Sequence, residues 1–382
     1  MKSNFDLRGA RAKLDAASGG ASAADAALKP VVSASGAAAA QGGSSEQRFD
    51  SRGAGLTASW ELDVWGRLRA QSGAAQAQYE GAALDYEFAR QSIAAGAAKA
   101  WFIASETLQQ QTLADQQVAT IEDMSRVIDA RRAAGKVGEQ DSRLVKAELA
   151  AAEERQRAAQ SAHKQSTRAL EAILGRYPSA ELQAAPQFPP VPAAVSAGVP
   201  SEILERRPDV AAVERNVNAA FKNVEAKTLA RLPQLSLTAR AGAASLGGSF
   251  FNVGANFFAP IFDGGARKAE VKIPTAQQES TLVAYGQTAL RAFTDVENAL
   301  ESDEALAQRE ALLTSVVKTN EDAYRLRKIE ADIGKADTLG LLQLQSKVNS
   351  AKSGLISLRQ ARRSERVNLH VALGGSFQSS RD

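Results

Sequence analysis

The chain has 382 residues, no cysteine, 5% aromatic residues and a formal charge of +3. The absence of cysteine excludes disulfides, thiolate metal sites, cysteine nucleophiles and a lipid attached through a cysteine of this chain. Lys and Arg are interleaved with Asp and Glu and form no basic blocks, so no nucleic-acid partner is expected.

The chain opens on "MKSNFDLRGARAKLDAA", which lacks the apolar core of a signal peptide and reads as an amphipathic helix. No run of about eighteen apolar residues occurs, so no helix is expected to span a bilayer. Two strands follow, at about 29–40 and 53–64. In the second, Leu56, Ala58, Trp60, Leu62 and Val64 alternate with Thr57, Ser59, Glu61 and Asp63, which gives one apolar face. After Trp65-Gly66 the alternation stops, and Ala, Gln, Glu and Arg run on without proline. That predicts one helix over about 67–134, roughly 100 Å long at 1.5 Å per residue. In "RRAAGKVGEQD", Gly135 and Gly138 supply a turn, and Asp141 or Ser142 can cap a second helix over about 140–174. The segment 176–206, with prolines from Pro178 to Pro200, reads as an extended connector, and Pro208 starts the next helix.

The chain then repeats itself. A shift of 199 places Tyr86 on Tyr285, Gly135 on Gly334 and Leu174-Gly175 on Leu373-Gly374. Upstream the shift is slightly larger, with Pro30 answering Pro233. A first repeat over 1–175 is thus followed by a second over 207–375 and a tail over 376–382. The second repeat has strands at about 233–243 and 250–262, a long helix over 265–332 and its partner over 337–373. Proline 274, early in that long helix, predicts a kink.

Four strands of about ten residues, each with one apolar face, have the length and alternation of transmembrane β-strands. Four cannot close a barrel, and lipid does not tolerate open edges, so several chains must share one. Two copies give eight strands and a filled interior, whereas three give twelve and leave a lumen. A soluble coiled-coil scaffold is the alternative; it predicts unbroken heptads and leaves the strands unexplained. Nothing nominates an enzyme. The sequence shows no motif that pairs His163 or His370 with a ligand or catalytic partner, and Ala130 and Ile329 occupy the positions where a phosphate loop ending at Gly135-Lys136 or Gly334-Lys335 needs its first glycine. No catalytic residue, metal or cofactor is expected.

The pieces "ASWELDVWGRLRA", "PSEILERRPDVAAVERNVNAAFKNVEAKTLARLPQLSLTARAG" and "FFAPIFDGGARKAEV" resemble the TolC-like outer membrane factors, particularly the NodT-type efflux lipoproteins. The resemblance covers nearly the whole chain. It implies a mainly α fold with membrane β-barrel strands: a homotrimer with a twelve-stranded barrel in the bacterial outer membrane, continued by an α-helical tunnel into the periplasm. The implied function is the exit duct of a tripartite efflux system for drugs or other small molecules. A proton-driven inner-membrane pump acts on it through a periplasmic adaptor. A duct for type I protein secretion is the alternative on the same fold. Members carry a signal peptide, an acylated cysteine in the lipoprotein branch and several tens of residues before the first equatorial helix. This chain starts inside that helix and reads as N-terminally truncated.

By the resemblance, Ala134, Gly135 and Lys136 and their counterparts Ile333, Gly334 and Lys335 are the helix tips that meet the adaptor, where glycine lets another backbone approach. Asp141 matches an inward-facing carboxylate at the periplasmic constriction, a ring of three that favours cations. Ala331 and Ala336 stand where the family carries its aromatic and basic gate partners. Trp65-Gly66 and Asp263-Gly264-Gly265 mark the handover from barrel to tunnel, and Trp60 and Phe257 face lipid or the interfacial aromatic belt.

Overall fold

The computed structural model describes residues 3–41, 49–191, 204–245, 247–333, 335 and 337–375. The elements follow in chain order as α1 (Phe5–Ala26), β1 (Val31–Gln41), β2 (Phe49–Leu62), α2 (Arg67–Ala133) and α3 (Glu139–Ile173). After the connector come α4 (Pro208–Leu229), β3 (Gln234–Ala244), β4 (Gly248–Phe258), α5 (Ala266–Asp332) and α6 (Thr338–Ala372). Both long helices have 67 residues and both partner helices 35. Arg67 and Ala266, and Ala133 and Asp332, stand at the shift of 199 seen in the sequence. The structure describes no helix long and apolar enough to cross a membrane.

The limits of three strands differ from expectation. β2 begins at Phe49 rather than 53 and ends at Leu62, because Val64 turns back to donate to the Leu62 carbonyl at 2.8 Å. β1 starts at Val31, just after Pro30. β4 stops at Phe258 rather than 262: Pro260 has no N–H for the ladder and restricts Ala259 before it. Ile261 and Phe262 beyond it are 98% and 91% exposed. Pro274 lies inside α5 without ending it.

The four strands form one antiparallel sheet in the order β1-β2-β3-β4, so β1 and β4 are open edges. Residues directly opposite in such a ladder share a face, and the register separates a mainly apolar face, which also carries Arg52 opposite Ala38, from a more polar one. Val32, Ala58, Ala239 and Val253 form one row, with Ala34, Leu56, Ala241 and Phe251 beside it. Trp60, Leu237 and Ala255, then Leu62, Leu235 and Phe257, continue that apolar face. The other face carries Ser33, Thr57, Arg240 and Asn252 in one row and Val31, Ser59, Thr238 and Gly254 in the next, with Phe250 and Phe258 on the same face of β4.

The described residues of 9–87 and 208–290, sheet included, form one compact unit; those of 1–8, 88–207 and 291–382 form the other. Each unit therefore draws on both repeats, and the compact units do not coincide with the sequence repeats. In the second unit, Val118, Ile121, Ile128, Val145, Ala152 and Leu342 make a core in which α2, α3 and α6 meet. Small residues dominate, with Ala104 and Val145 fully buried, as expected of helices that bury narrow stripes.

The ends of α3 and α6 are built alike. Gly175 (φ +71°) and Gly374 (φ +72°) close the helices in the left-handed conformation. Arg176 donates back to the Glu171 carbonyl at 2.9 Å, and Gly375 to the His370 carbonyl at 3.1 Å. Over each glycine runs another backbone: an added Cβ would lie 2.3 Å from the Ser3 carbonyl oxygen at Gly175, and 2.7 Å from the Arg206 carbonyl carbon at Gly374. The next residue ties each approach down. Asn4 Nδ2 donates to the Ile173 carbonyl at 2.7 Å, and Arg207 donates to the Ala372 carbonyl at 3.4 Å and to Asp295 at 3.1 Å.

Candidate functional site

The apolar face of the sheet is open in the single chain. Phe251, Val253 and Phe257 are 85%, 78% and 70% exposed, more contiguous apolar surface than a chain in water ordinarily presents. Trp60 sits near the end of β2, 37% exposed, with its indole N–H donating to the Leu28 carbonyl at 2.9 Å. An amphipathic ring held in this way, apolar on its body and bonded at its tip, suits a membrane–water boundary.

Below it the strand turns into the helix. Gly66 takes a positive φ of +88°, which only glycine adopts freely. The Trp65 indole donates to the Pro233 carbonyl at 2.7 Å and ties the first repeat's junction to the second repeat's strand entrance. Arg67 forks onto both oxygens of Glu61 at 2.8 Å each. Asp63 accepts from the backbone N–H groups of Leu68 and Arg69 at 2.8 and 2.9 Å, satisfying donors that a helix start leaves free. The second repeat repeats the device. Asp263 accepts from Gly265 and Arg267 at 3.0 and 3.2 Å, and Gly264 and Gly265 have φ of +63° and +90°. The change from strand to helix after Trp65-Gly66 was legible in sequence; the Trp65–Pro233 and Arg67–Glu61 links were not.

At the first hairpin tip, Gly135 (φ +69°) donates to the Arg132 carbonyl and Lys136 to the Arg131 carbonyl, both at 2.9 Å. These paired bonds close α2. A Cβ on Gly135 would meet nothing within 4 Å, so the tip faces open space. At the second tip Lys335 donates to the Glu330 carbonyl at 2.8 Å, the equivalent bond; Gly334 and Ala336 lie outside the described residues. Ala331 is buried, and its carbonyl accepts from Arg131 at 3.0 Å.

Asp141 reaches back to the Gly138 N–H at 3.3 Å, the reciprocal half of a helix cap. Beside it Glu139 accepts from Arg132 and Arg143, whose guanidinium groups hold its carboxyl below the ordinary glutamate range. Asp129 is held down in the same direction, first by the Ser142 hydroxyl at 2.8 Å and then by Lys146.

His163 does not stand alone: its Nδ1 lies 3.3 Å from the Thr107 hydroxyl, on the neighbouring helix. Partners on another helix leave no trace in local spacing. Sequence reasoning also passed over Glu171, 3% exposed near the end of α3. Its carboxylate accepts from the backbone N–H groups of Ala180, Glu181 and Leu182 at 2.7, 2.9 and 3.0 Å. Burial opposes its ionisation, but the three donors prevail and hold the carboxyl below its usual range. Ala180 pays with a left-handed φ of +64°. Farther along the connector, Phe188 lies under the Arg363 guanidinium at 4.7 Å, and Pro189 accepts from Arg363 at 2.8 Å.

Comparison with known proteins agrees with this architecture. Residues 1–176 and 199–375 match the family model of the outer membrane efflux proteins. Pyoverdine export outer membrane protein OpmQ of Pseudomonas aeruginosa is 30% identical over 357 residues, 88% of this chain and 73% of the relative. Outer membrane protein OprJ of the same organism is 30% identical over 336 residues, 84% of this chain and 69% of the relative. Among solved structures, the open state of the Neisseria gonorrhoeae MtrE outer membrane channel superposes with a TM-score of 0.87 at 27% identity. It covers 98% of this chain and 87% of that one. This chain belongs to the outer membrane efflux protein family and has the fold of its channel-forming members.

Proposed function

We propose that three copies of this chain close a twelve-stranded barrel in the outer membrane and continue it as a helical tunnel into the periplasm, forming the exit duct of a tripartite efflux system. The observation that carries the reading is the sheet: four strands with one mainly apolar face, interrupted at Arg52, open at both edges and leading into 67-residue helices. Only lipid suits that face, and only further strands suit those edges. Leu290, Leu312, Leu326 and Ile329 on α5 are 57–69% exposed, consistent with neighbouring copies covering them.

The duct carries drugs or other small molecules passively, and a family of channels has no call for a nucleophile or cofactor. An inner-membrane transporter, proton-driven, supplies the energy through a periplasmic adaptor. The adaptor meets the tips at Ala134–Lys136 and Ile333–Lys335, where open space around Gly135 leaves room for a partner's backbone. Asp141 both caps α3 and contributes to a ring of three carboxylates at the constriction, favouring cations there.

Native mass spectrometry of the detergent-solubilised chain tests the assembly. A mass of three times 40.3 kDa, with mobility on a gel that changes on heating, is expected. A monomer or dimer that stays soluble without detergent overturns the reading.

A further inference from the structure

We propose that Arg240 makes the barrel lumen selective for anionic solutes, such as carboxylate- or sulfonate-bearing compounds; the proposal rests on the trimeric barrel reading above. With the apolar face turned to lipid, the opposite face of the sheet lines the lumen. Among the described strand side chains that face carries two charged residues, Glu61 and Arg240. Glu61 is neutralised by the two-pronged contact with Arg67. Arg240 is exposed, and no carboxylate among the described residues pairs with it. Its row neighbours Ser33, Thr57 and Asn252 are neutral.

The next row leaves the cation uncovered. Gly242 stands directly between Gly55 and Phe250, and a Cβ there would lie 2.7 Å from the Ala54 carbonyl and 3.0 Å from the Phe250 ring. The wall above Arg240 is therefore glycine and aromatic, with no competing charge in that row.

Three-fold symmetry turns one arginine into a ring of three at a single height. Twelve strands about 4.8 Å apart and tilted by about 40° put the backbone roughly 12 Å from the barrel axis. The long arginine side chain carries its charge well inside that radius, so the axis lies within about one Debye length, about 8 Å at physiological salt. An anion in the lumen is attracted and a cation repelled, the opposite sign from the Asp141 ring.

The chain has no cysteine, so an introduced thiol is its sole target for thiol-specific reagents. In lipid vesicles of the full chain, Thr238→Cys, on the lumen face two residues from Arg240, is labelled with an anionic sulfonate-bearing or a cationic trimethylammonium-bearing methanethiosulfonate. One unit charge about 7 Å away gives an anion-to-cation rate ratio higher by about twofold at 0.15 M salt and about fivefold at 0.01 M. Adding Arg240→Gln removes that factor and its salt dependence, while Arg240→Lys keeps both. A ratio that neither Arg240→Gln nor salt changes overturns the proposal. Ala239→Cys, on the apolar face, separates the two readings: if it is labelled from water while Thr238→Cys is protected, the barrel faces are inverted and the barrel reading itself fails.

Discussion

Alanine at Gly175 should harm the fold far more than alanine at Gly135, although the two glycines share nearly the same left-handed φ of +71° and +69°. At Gly135 the new methyl group meets nothing within 4 Å, so the cost is conformational, about 1 to 2 kcal/mol. At Gly175 the same methyl group falls 2.3 Å from the Ser3 carbonyl oxygen and 3.1 Å from the Asn4 nitrogen. Those are backbone atoms that cannot swing aside, so the 3–4 segment must lift away. Overpacking adds about 1 to 3 kcal/mol to the conformational cost, for about 2 to 5 kcal/mol in all. Lifting also strains the Asn4 bonds to Ile173 and Leu7. Gly96, inside α2 with open space around it and no positive φ, supplies a control of opposite sign, because alanine there gains helix propensity of about 0.5 to 1 kcal/mol. Thermal denaturation in detergent, followed by far-ultraviolet circular dichroism, ranks the three variants. The expected order of midpoints is Gly96→Ala highest, then Gly135→Ala, then Gly175→Ala. Equal shifts at Gly175 and Gly135 would refute the close-approach argument.

Two further outcomes follow from the connector and the tips. Because the carboxyl of Glu171 is held below its usual range, its contribution to stability is present above the unfolded value of about 4.3 and is lost as pH falls through the lower folded value. Limited proteolysis of the connector should therefore be independent of pH from 8 down to about 5 and accelerate only below the ordinary glutamate range. Glu171→Gln should raise cleavage at neutral pH, and a connector equally resistant in that variant argues against the clamp. Replacing Gly135 and Gly334 with tryptophan should abolish efflux while the native mass stays that of a trimer; unchanged drug susceptibility in a strain relying on this duct would rule out tip docking.

Much of the architecture is written locally. The two long helices and their 35-residue partners begin and end within one residue of the limits read from period, Gly135 and the repeat, because caps and left-handed glycines act over a few residues of chain. Alternation alone sorted Trp60 and Leu62 from Ser59 and Glu61, and the ladder kept them apart. Even the misplaced end of β4 has a local cause in Pro260, outweighed in the reading by the alternation of Ala259 and Ile261. What local pattern could not supply is every contact set by topology. The clamp of Glu171 on residues 180–182, the Thr107–His163 contact and the Trp65–Pro233 tie depend on where another segment passes. Asn4 and Arg207 differ as residues, yet both donate to the last carbonyl of the 35-residue helix in their own repeat. Periodicity and capping are properties of neighbouring residues and survive in a one-dimensional string. Partners on another segment, from 9 to 169 residues away, are chosen only when the chain has folded, and the row that leaves Arg240 without a carboxylate exists only once the strands have found their register.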